Sequence, residues 1–170
     1  MSRCLTFEEA CLRLSAWIAL SQGALIDTGH TERQAFRRTR PVHETELYAF
    51  EQTHKLALPK SYRRFLIDVG AVEIFAGEKT AGIDILPPAD IADFSASVFS
   101  NYGEDLFPQV LLAVSLPKFG YFGGFLMDST EQNYSLFYPD IPPELWIEES
   151  EPLDFENWLV QLVNSRATKV

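Results

Sequence analysis

The hydrophobic pattern of the chain changes at Gly70, and this change limits the folds that the chain can adopt. Before Gly70 the apolar residues recur at helical spacing, most regularly at Tyr62, Phe65 and Leu66, where Pro59 is placed to open a helix and Gly70 to end it. After Gly70 short apolar runs are separated by turn residues, as in β-strands. Helices followed by clustered strands are typical of an α+β fold.

The same periodicities predict the remaining elements. Helices are predicted over residues 5–21, where Thr6 and Glu9 form a capping pattern, and over 45–55, 88–99 and 154–163. Strands are predicted over 72–75, 83–86, 110–114, 124–127 and 134–138, with a last short strand at 145–147. The arginine-rich stretch 27–40 is expected to form a solvated loop or a short exposed helix. Alternatively, it pairs with acids of the protein itself or forms a binding patch.

Composition excludes several classes of partner. The 170 residues include 24 acids against 14 Lys and Arg, a formal charge of −10, and 46% of them are hydrophobic. This length and apolar content suit one folded domain. Nucleic-acid binding is disfavoured because it depends on Lys and Arg displacing counterions, and an anionic membrane surface is disfavoured for the same reason.

The amino terminus and the cysteines predict a cytoplasmic protein. No apolar run is long enough to span a membrane, and acids interrupt the segment where a signal peptide would be apolar. Cys4 and Cys11 are the two cysteines of the chain. Residues seven apart on one helix lie about 10 Å apart, which is too far for a disulfide. Two reduced thiols fit a reducing compartment.

Three segments, in this order, resemble the SUKH superfamily, which includes Smi/Knr-type cell-wall regulators and bacterial immunity proteins. The first is Leu58–Leu66, which reads Leu-Pro-Lys-Ser-Tyr-Arg-Arg-Phe-Leu. The second, Leu112–Asp128, has two apolar runs around a glycine-containing turn, and the third is the closing segment Leu153–Leu162. The resemblance implies a single, mostly antiparallel mixed β-sheet flanked by helices. It places a SUKH-like domain at 45–170 and an additional N-terminal helical extension at 1–44.

The resemblance also implies a function in protein binding without catalysis. Bacterial members are immunity proteins, each bound to a cognate toxin, and many of those toxins are nucleases. The expected partner of this chain is therefore a protein toxin, with a nuclease as one candidate. Two alternatives are an intracellular scaffold or regulator of the Smi/Knr type, and a module that binds a small ligand or peptide.

The chemistry-bearing residues agree with a binding protein. The three histidines, His30, His43 and His54, have no spacing typical of a metal site, and the two cysteines add little. The chain has no Gly-x-Ser-x-Gly elbow and no phosphate-binding or dinucleotide-binding loop. No enzyme activity, cofactor or metal is therefore expected.

Charge placement indicates where a partner would bind. Residues 1–70 carry a formal charge of +2 and residues 71–170 carry −12, with no Lys or Arg between Phe119 and Ser165. Five acids of this region are predicted to attract and pair with a basic partner: Asp140, Glu144, Glu148, Glu149 and Glu151. Trp146, which lies among them, is predicted to be an apolar anchor, with Tyr121 or Phe122 as a further anchor. The alternatives are a solvated acidic loop and, for the aromatic segment 119–125, a hairpin turn whose rings cover the sheet.

Overall fold

A seven-stranded antiparallel sheet organises the fold in the computed structural model, which describes residues 3–127 and 133–170. The strands lie side by side in chain order, and each neighbouring pair is antiparallel. The strands are β1 Leu25–Ile26, β2 Gln34–Arg40, β3 Ala71–Ala76, β4 Ile83–Ile85, β5 Val110–Leu116, β6 Tyr121–Leu126 and β7 Tyr134–Phe137. The helices are α1 Phe7–Ser21, α2 Glu44–His54, α3 Lys60–Asp68, α4 Pro88–Ser100, α5 Pro143–Glu149 and α6 Phe155–Ser165.

This arrangement confirms the α+β class, a single sheet flanked by helices, and a helix at the amino-terminal end. The resemblance implies a mostly antiparallel mixed sheet, and every pairing of the described strands is antiparallel. All pairings are antiparallel because each strand runs opposite to the strand before it in the chain and lies beside it. This holds also where helices connect the two strands, as α2 and α3 do between β2 and β3 and α4 does between β4 and β5.

Local sequence signals set the ends of the predicted helices. The Thr6 hydroxyl accepts from the Glu9 N–H at 3.2 Å, and the Glu9 carboxylate accepts from the Thr6 N–H at 2.8 Å, which completes the capping box of α1. Asp154 caps α6 by accepting from the Glu156 N–H at 2.9 Å. Pro59 directly precedes α3. These helices therefore begin where the sequence pattern predicts.

Apolar side chains cover both faces of the sheet. The larger cluster joins α1, α3 and α6 to one face, while the smaller cluster joins α4 and α5 to the other. Strand β5 shows the division, because Leu111 and Ala113 belong to the larger cluster and Val110 and Leu112 to the smaller one. The site of interest lies over the smaller cluster.

The arginine-rich stretch 27–40 contains a strand, so the expectation of a loop or exposed helix is wrong for its second half. Strand β2 pairs with β1 and β3, and its buried Phe36 contributes to the larger cluster. Arg37 pairs with Glu73 on β3 at 2.7 Å, and Arg40 pairs with Glu46. Acids of the protein itself thus pair with two arginines of this block, in agreement with the alternative interpretation.

Residues 145–147 form part of α5, so the prediction of a last short strand is wrong. Pro142 and Pro143 open a helix, and Pro143 and Trp146 are its buried side chains, spaced for one helical face. Three residues are too short a run to distinguish a strand from a helix by periodicity.

Residues 1–44 supply α1, β1 and β2, which pack against or pair with later elements of the same core. The domain boundary at residue 44 stays a prediction. None of the helices in the described part of the chain has the length and apolar character needed to cross a bilayer.

Asp84 is a half-buried carboxyl in the middle of the sheet. It lies opposite Glu73 on β3 and Ser115 on β5. Burial and then the negative charge of Glu73 raise the pKa of Asp84 from 3.8 to about 6, while Arg37 acts in the opposite direction. The ionised form is therefore disfavoured in the folded state.

We expect Asp84→Asn to stabilise the protein at neutral pH by about 1 kcal/mol, a value reduced for partial exposure of the carboxyl. Between the unfolded pKa of 3.8 and the folded pKa of about 6 the folded state binds more protons, so wild-type stability falls as the pH rises through this window. The advantage of the variant should be full above pH 6 and absent below the unfolded pKa. Urea unfolding between pH 3.5 and pH 7.5 measures it.

Asp93→Asn, on an exposed position of α4, controls for the loss of one negative charge. An advantage of Asp84→Asn that is the same at every pH would contradict the explanation.

Candidate partner-binding surface

Trp146 holds helix α5 against the sheet. Its indole is 2% exposed and stacks on the ring of Phe137 in β7, with 4.7 Å between ring centroids and 15° between planes. The indole N–H donates to the carbonyl of Ile141 at 2.8 Å. The ring of Phe99 in α4 also packs near the indole, with 5.9 Å between the ring centroids. These contacts position the acidic residues of α5.

The burial of Trp146 corrects its expected role as a surface anchor. A tryptophan that is 2% exposed has almost no area left for a partner. On a seven-residue amphipathic helix the largest apolar side chain turns toward the sheet, while the glutamates take the solvent side. Trp146 therefore supports the surface from beneath.

The five acids predicted for the site lie close together along the chain and are all exposed. Asp140 precedes α5, Glu144, Glu148 and Glu149 are on it, and Glu151 follows it. None of them forms an ion pair within the described part of the chain. The seven ion pairs found there all join arginines of residues 3–64 to acids of residues 8–73. Whether the five acids contact a partner stays a prediction.

Two cations of the second half of the chain, Lys118 and Arg166, have partners away from the acidic segment. The Lys118 ammonium donates to the carbonyl of Gly77 at 3.0 Å, and the Arg166 guanidinium donates to the carbonyl of Thr28. Both cations are therefore bound to backbone carbonyls within the first eighty residues. The negative charge around α5 is therefore left uncompensated by these two groups.

A groove of about 330 Å³ runs between the outer edge of β7 and α5, and we call it the β7–α5 groove. Its apolar lining includes Leu136, Ile141, Leu145 and Leu153, together with part of Trp146. Two of the predicted acids, Glu149 and Glu151, also line it. The structure thus joins the acidic segment to a concave apolar surface, which is the usual composition of an interface with an apolar centre and a charged rim.

The two aromatic residues predicted as further anchors lie on opposite faces of the sheet. Phe122 is half-buried against the smaller cluster, and its ring centroid lies 6.1 Å from that of Trp146. The ring centroid of Tyr121 lies 4.8 Å from that of Tyr138 and 5.6 Å from that of Phe119. Tyr138 is 41% exposed and Phe119 is 47% exposed. Tyr121 therefore belongs to an exposed aromatic group, and Phe122 does not.

Sequence reasoning missed Tyr138 and Leu153 as candidate contact residues. Tyr138 lines the β7–α5 groove and touches Tyr121, so it connects the aromatic group to the groove. Leu153 is 48% exposed and lines the same groove. The available signal was position, because Tyr138 directly follows a strand and both residues flank the acidic segment.

A turn before α5 is held by Tyr102. The Tyr102 hydroxyl donates to the carbonyl of Pro139 at 2.7 Å. Burial, and then the nearby charge of Asp140, raise the pKa of Tyr102, which keeps the hydroxyl protonated as a donor. The hydrogen bond fixes the direction in which the chain enters the acidic segment.

The groups capable of chemistry have structural contacts elsewhere. His54 packs on the rings of Phe50 and Phe107, and the His30 imidazole accepts from the Glu32 N–H at 3.2 Å. Cys11 is buried, which raises the pKa of its thiol to about 12, and both cysteines are free. Within residues 3–127 and 133–170 no three His, Cys, Asp or Glu side chains lie close enough to hold a metal ion.

We expect Trp146→Ala to lower the free energy of unfolding by about 3–5 kcal/mol, because it removes a buried ring and leaves a cavity under α5. Urea unfolding followed by circular dichroism measures the loss. Trp146→Phe, which keeps a ring on Phe137 and loses the indole N–H, is the matched control and should cost much less. A loss below about 1 kcal/mol for the alanine variant would show that the ring does not hold the helix.

Comparison with known proteins identifies a relative over nearly the full length. No protein-family model matches the chain. No solved structure matches it either. Immunity protein RhsIB from Dickeya dadantii (strain 3937) is 52% identical to it over 167 residues, which cover 98% of this chain and 100% of the relative. At this identity and coverage, the chain belongs to the family of immunity protein RhsIB.

Proposed function

We propose that this chain is an immunity protein that binds a cognate toxin domain and neutralises it by covering a surface the toxin needs. The observation that carries the proposal is the near-full-length similarity to immunity protein RhsIB. The exposed acids around α5, which form no ion pair with the residues that the structure describes, support it, since they suit recognition of another protein. The proposed mechanism is stoichiometric binding.

The proposed partner surface is basic. Residues 71–170 carry a formal charge of −12, and the ion pairs of the described residues lie in the first half of the chain. Such a field speeds encounter with a positively charged partner and disfavours acidic ones. A nuclease is a candidate, because a protein that grips phosphates needs a basic surface.

The proposal contains no catalytic step. His30, His54 and the buried Cys11 already have packing or hydrogen-bonding roles, and binding alone is sufficient to block a toxin. Free thiols at Cys4 and Cys11 support the proposed cytoplasmic location.

We also propose that the domain is of the SUKH type. The described structure supports this with a buried helical stripe after Pro59, a glycine-containing β5–β6 hairpin and a closing helix that buries Phe155 and Trp158. Asp128, the last residue of the second resembling segment, lies outside the described residues.

We expect the triple variant Glu148→Lys/Glu149→Lys/Glu151→Lys to weaken toxin binding on the order of 100-fold, because it replaces attraction by repulsion on the exposed acidic segment beside the β7–α5 groove. The protein to be tested as the toxin is the product of the reading frame adjacent to this gene. Isothermal titration calorimetry gives the affinity, and stopped-flow mixing at two salt concentrations gives the association rate. That rate should fall with salt for the wild type.

The control is Glu78→Lys/Asp93→Lys/Glu104→Lys, which makes the same change in net charge at three exposed acids outside the groove. It should retain most of the affinity. Unchanged binding of the first variant would remove the acidic surface from the proposal, and absence of binding by the wild type would overturn the immunity function.

A further inference from the structure

Strand β7 is the last strand of the sheet, so β6 pairs with one of its sides only. On the other side, Tyr134 exchanges two backbone hydrogen bonds with Leu153, with N···O distances of 3.0 Å and 2.6 Å. This antiparallel bridge shows that backbone groups on the outer edge of β7 are accessible to pairing. The bridge covers the first residue of β7.

The next outward-facing backbone groups of β7 belong to Leu136. In an antiparallel ladder successive residues bond alternately to the two sides. Asn133 bonds inward, because its carbonyl accepts from the Leu126 N–H at 2.8 Å, and Tyr134 bonds outward to Leu153. Leu136 therefore also faces outward, toward the β7–α5 groove that it lines. Its carbonyl accepts from the Ser135 hydroxyl at 3.3 Å, a long hydrogen bond that an incoming donor can replace.

The groove beside this edge selects an occupant by shape and charge. Ile141, Leu145 and Leu153 line it with apolar surface, and Glu149 and Glu151 add unpaired negative charge. Its volume of about 330 Å³ accepts a few side chains and is small for a whole helix. An extended segment with an apolar residue near a Lys or Arg matches these features.

We propose that an extended, basic segment of the cognate toxin adds to the sheet at the outer edge of β7. Its backbone pairs with Leu136, its apolar side chain enters the β7–α5 groove, and its Lys or Arg pairs with Glu149 and Glu151. This inference rests on the proposed function and specifies how the partner is held. Strand addition of this kind derives affinity from backbone hydrogen bonds and specificity from side-chain pockets.

A second copy of this chain fits the edge poorly. Symmetric pairing of two β7 strands would bring Glu149 and Glu151 of each copy toward the same acids of the other, and the charges would repel. The opposite edge of the sheet is β1, which has two residues and offers little backbone for pairing. Strand β7 is therefore the edge with both free backbone and a charge that attracts a basic partner.

The experiment compares Leu136→Pro with Leu136→Ala in calorimetry against the toxin encoded by the adjacent reading frame. Proline removes the outward N–H without breaking a bond to β6, as on natural edge strands, while alanine keeps the N–H and loses the side chain. We expect the proline variant to bind at least about 20-fold more weakly than the alanine variant. Proline cannot donate the backbone hydrogen bond to the added strand, and its ring obstructs that strand. Thermal unfolding of both free variants checks that they fold.

Hydrogen exchange of the wild-type protein gives a second measurement that needs no variant. We expect the Leu136 amide to exchange freely in the unbound protein and to become protected in the complex. Toxin binding that leaves this amide unprotected, or equal affinities of folded proline and alanine variants, would overturn strand addition while leaving the immunity function intact. If the wild type does not bind the toxin, the immunity function fails and the inference fails with it.

Discussion

The contact between Trp146 and Phe137 determines whether the acidic surface exists in the form described. A seven-residue helix has too few internal hydrogen bonds to persist alone in water, so its stability comes from tertiary packing. The stacked rings supply that packing, and the indole N–H fixes the preceding turn through the Ile141 carbonyl. The exposed glutamates take their positions from these buried contacts. A buried residue thus organises the surface that is proposed to bind the partner.

The two halves of the chain manage charge differently. Arginines of α3 and β2 pair with nearby acids, so much of the charge in the first half is compensated internally. Around α5 the acids have no such partners in the described chain, and their mutual repulsion opposes folding to some extent. In the proposed complex, a basic toxin would relieve this repulsion. The same charges would then favour association with that partner and oppose association between copies of this chain.

Elements with complete local signals could be predicted from the sequence. Helix α3 has a proline at its start and an apolar stripe on one face, and α6 has a capping aspartate before a Phe-x-x-Trp-Leu pattern. Strand β2 could not be predicted, because its arginines are stabilised by Glu73 and Glu46 on other elements. The acidic residues of the candidate site could be located from charge alone. The side of α5 that Trp146 occupies could not, since it depends on where Phe137 and Phe99 lie in space.

The bridge between Tyr134 and Leu153 has a consequence for how such a protein can diverge. The chain leaves β7 after Phe137, passes through α5, and returns to the same strand at Leu153. The intervening segment is thus a long connection that starts at β7 and is anchored to β7 again at its other end. Its solvent-facing residues can change charge or size without altering any strand pairing of the sheet, provided that the inward tryptophan is kept. A lineage of related proteins could acquire new partners by exchanging this segment while inheriting the rest of the fold unchanged.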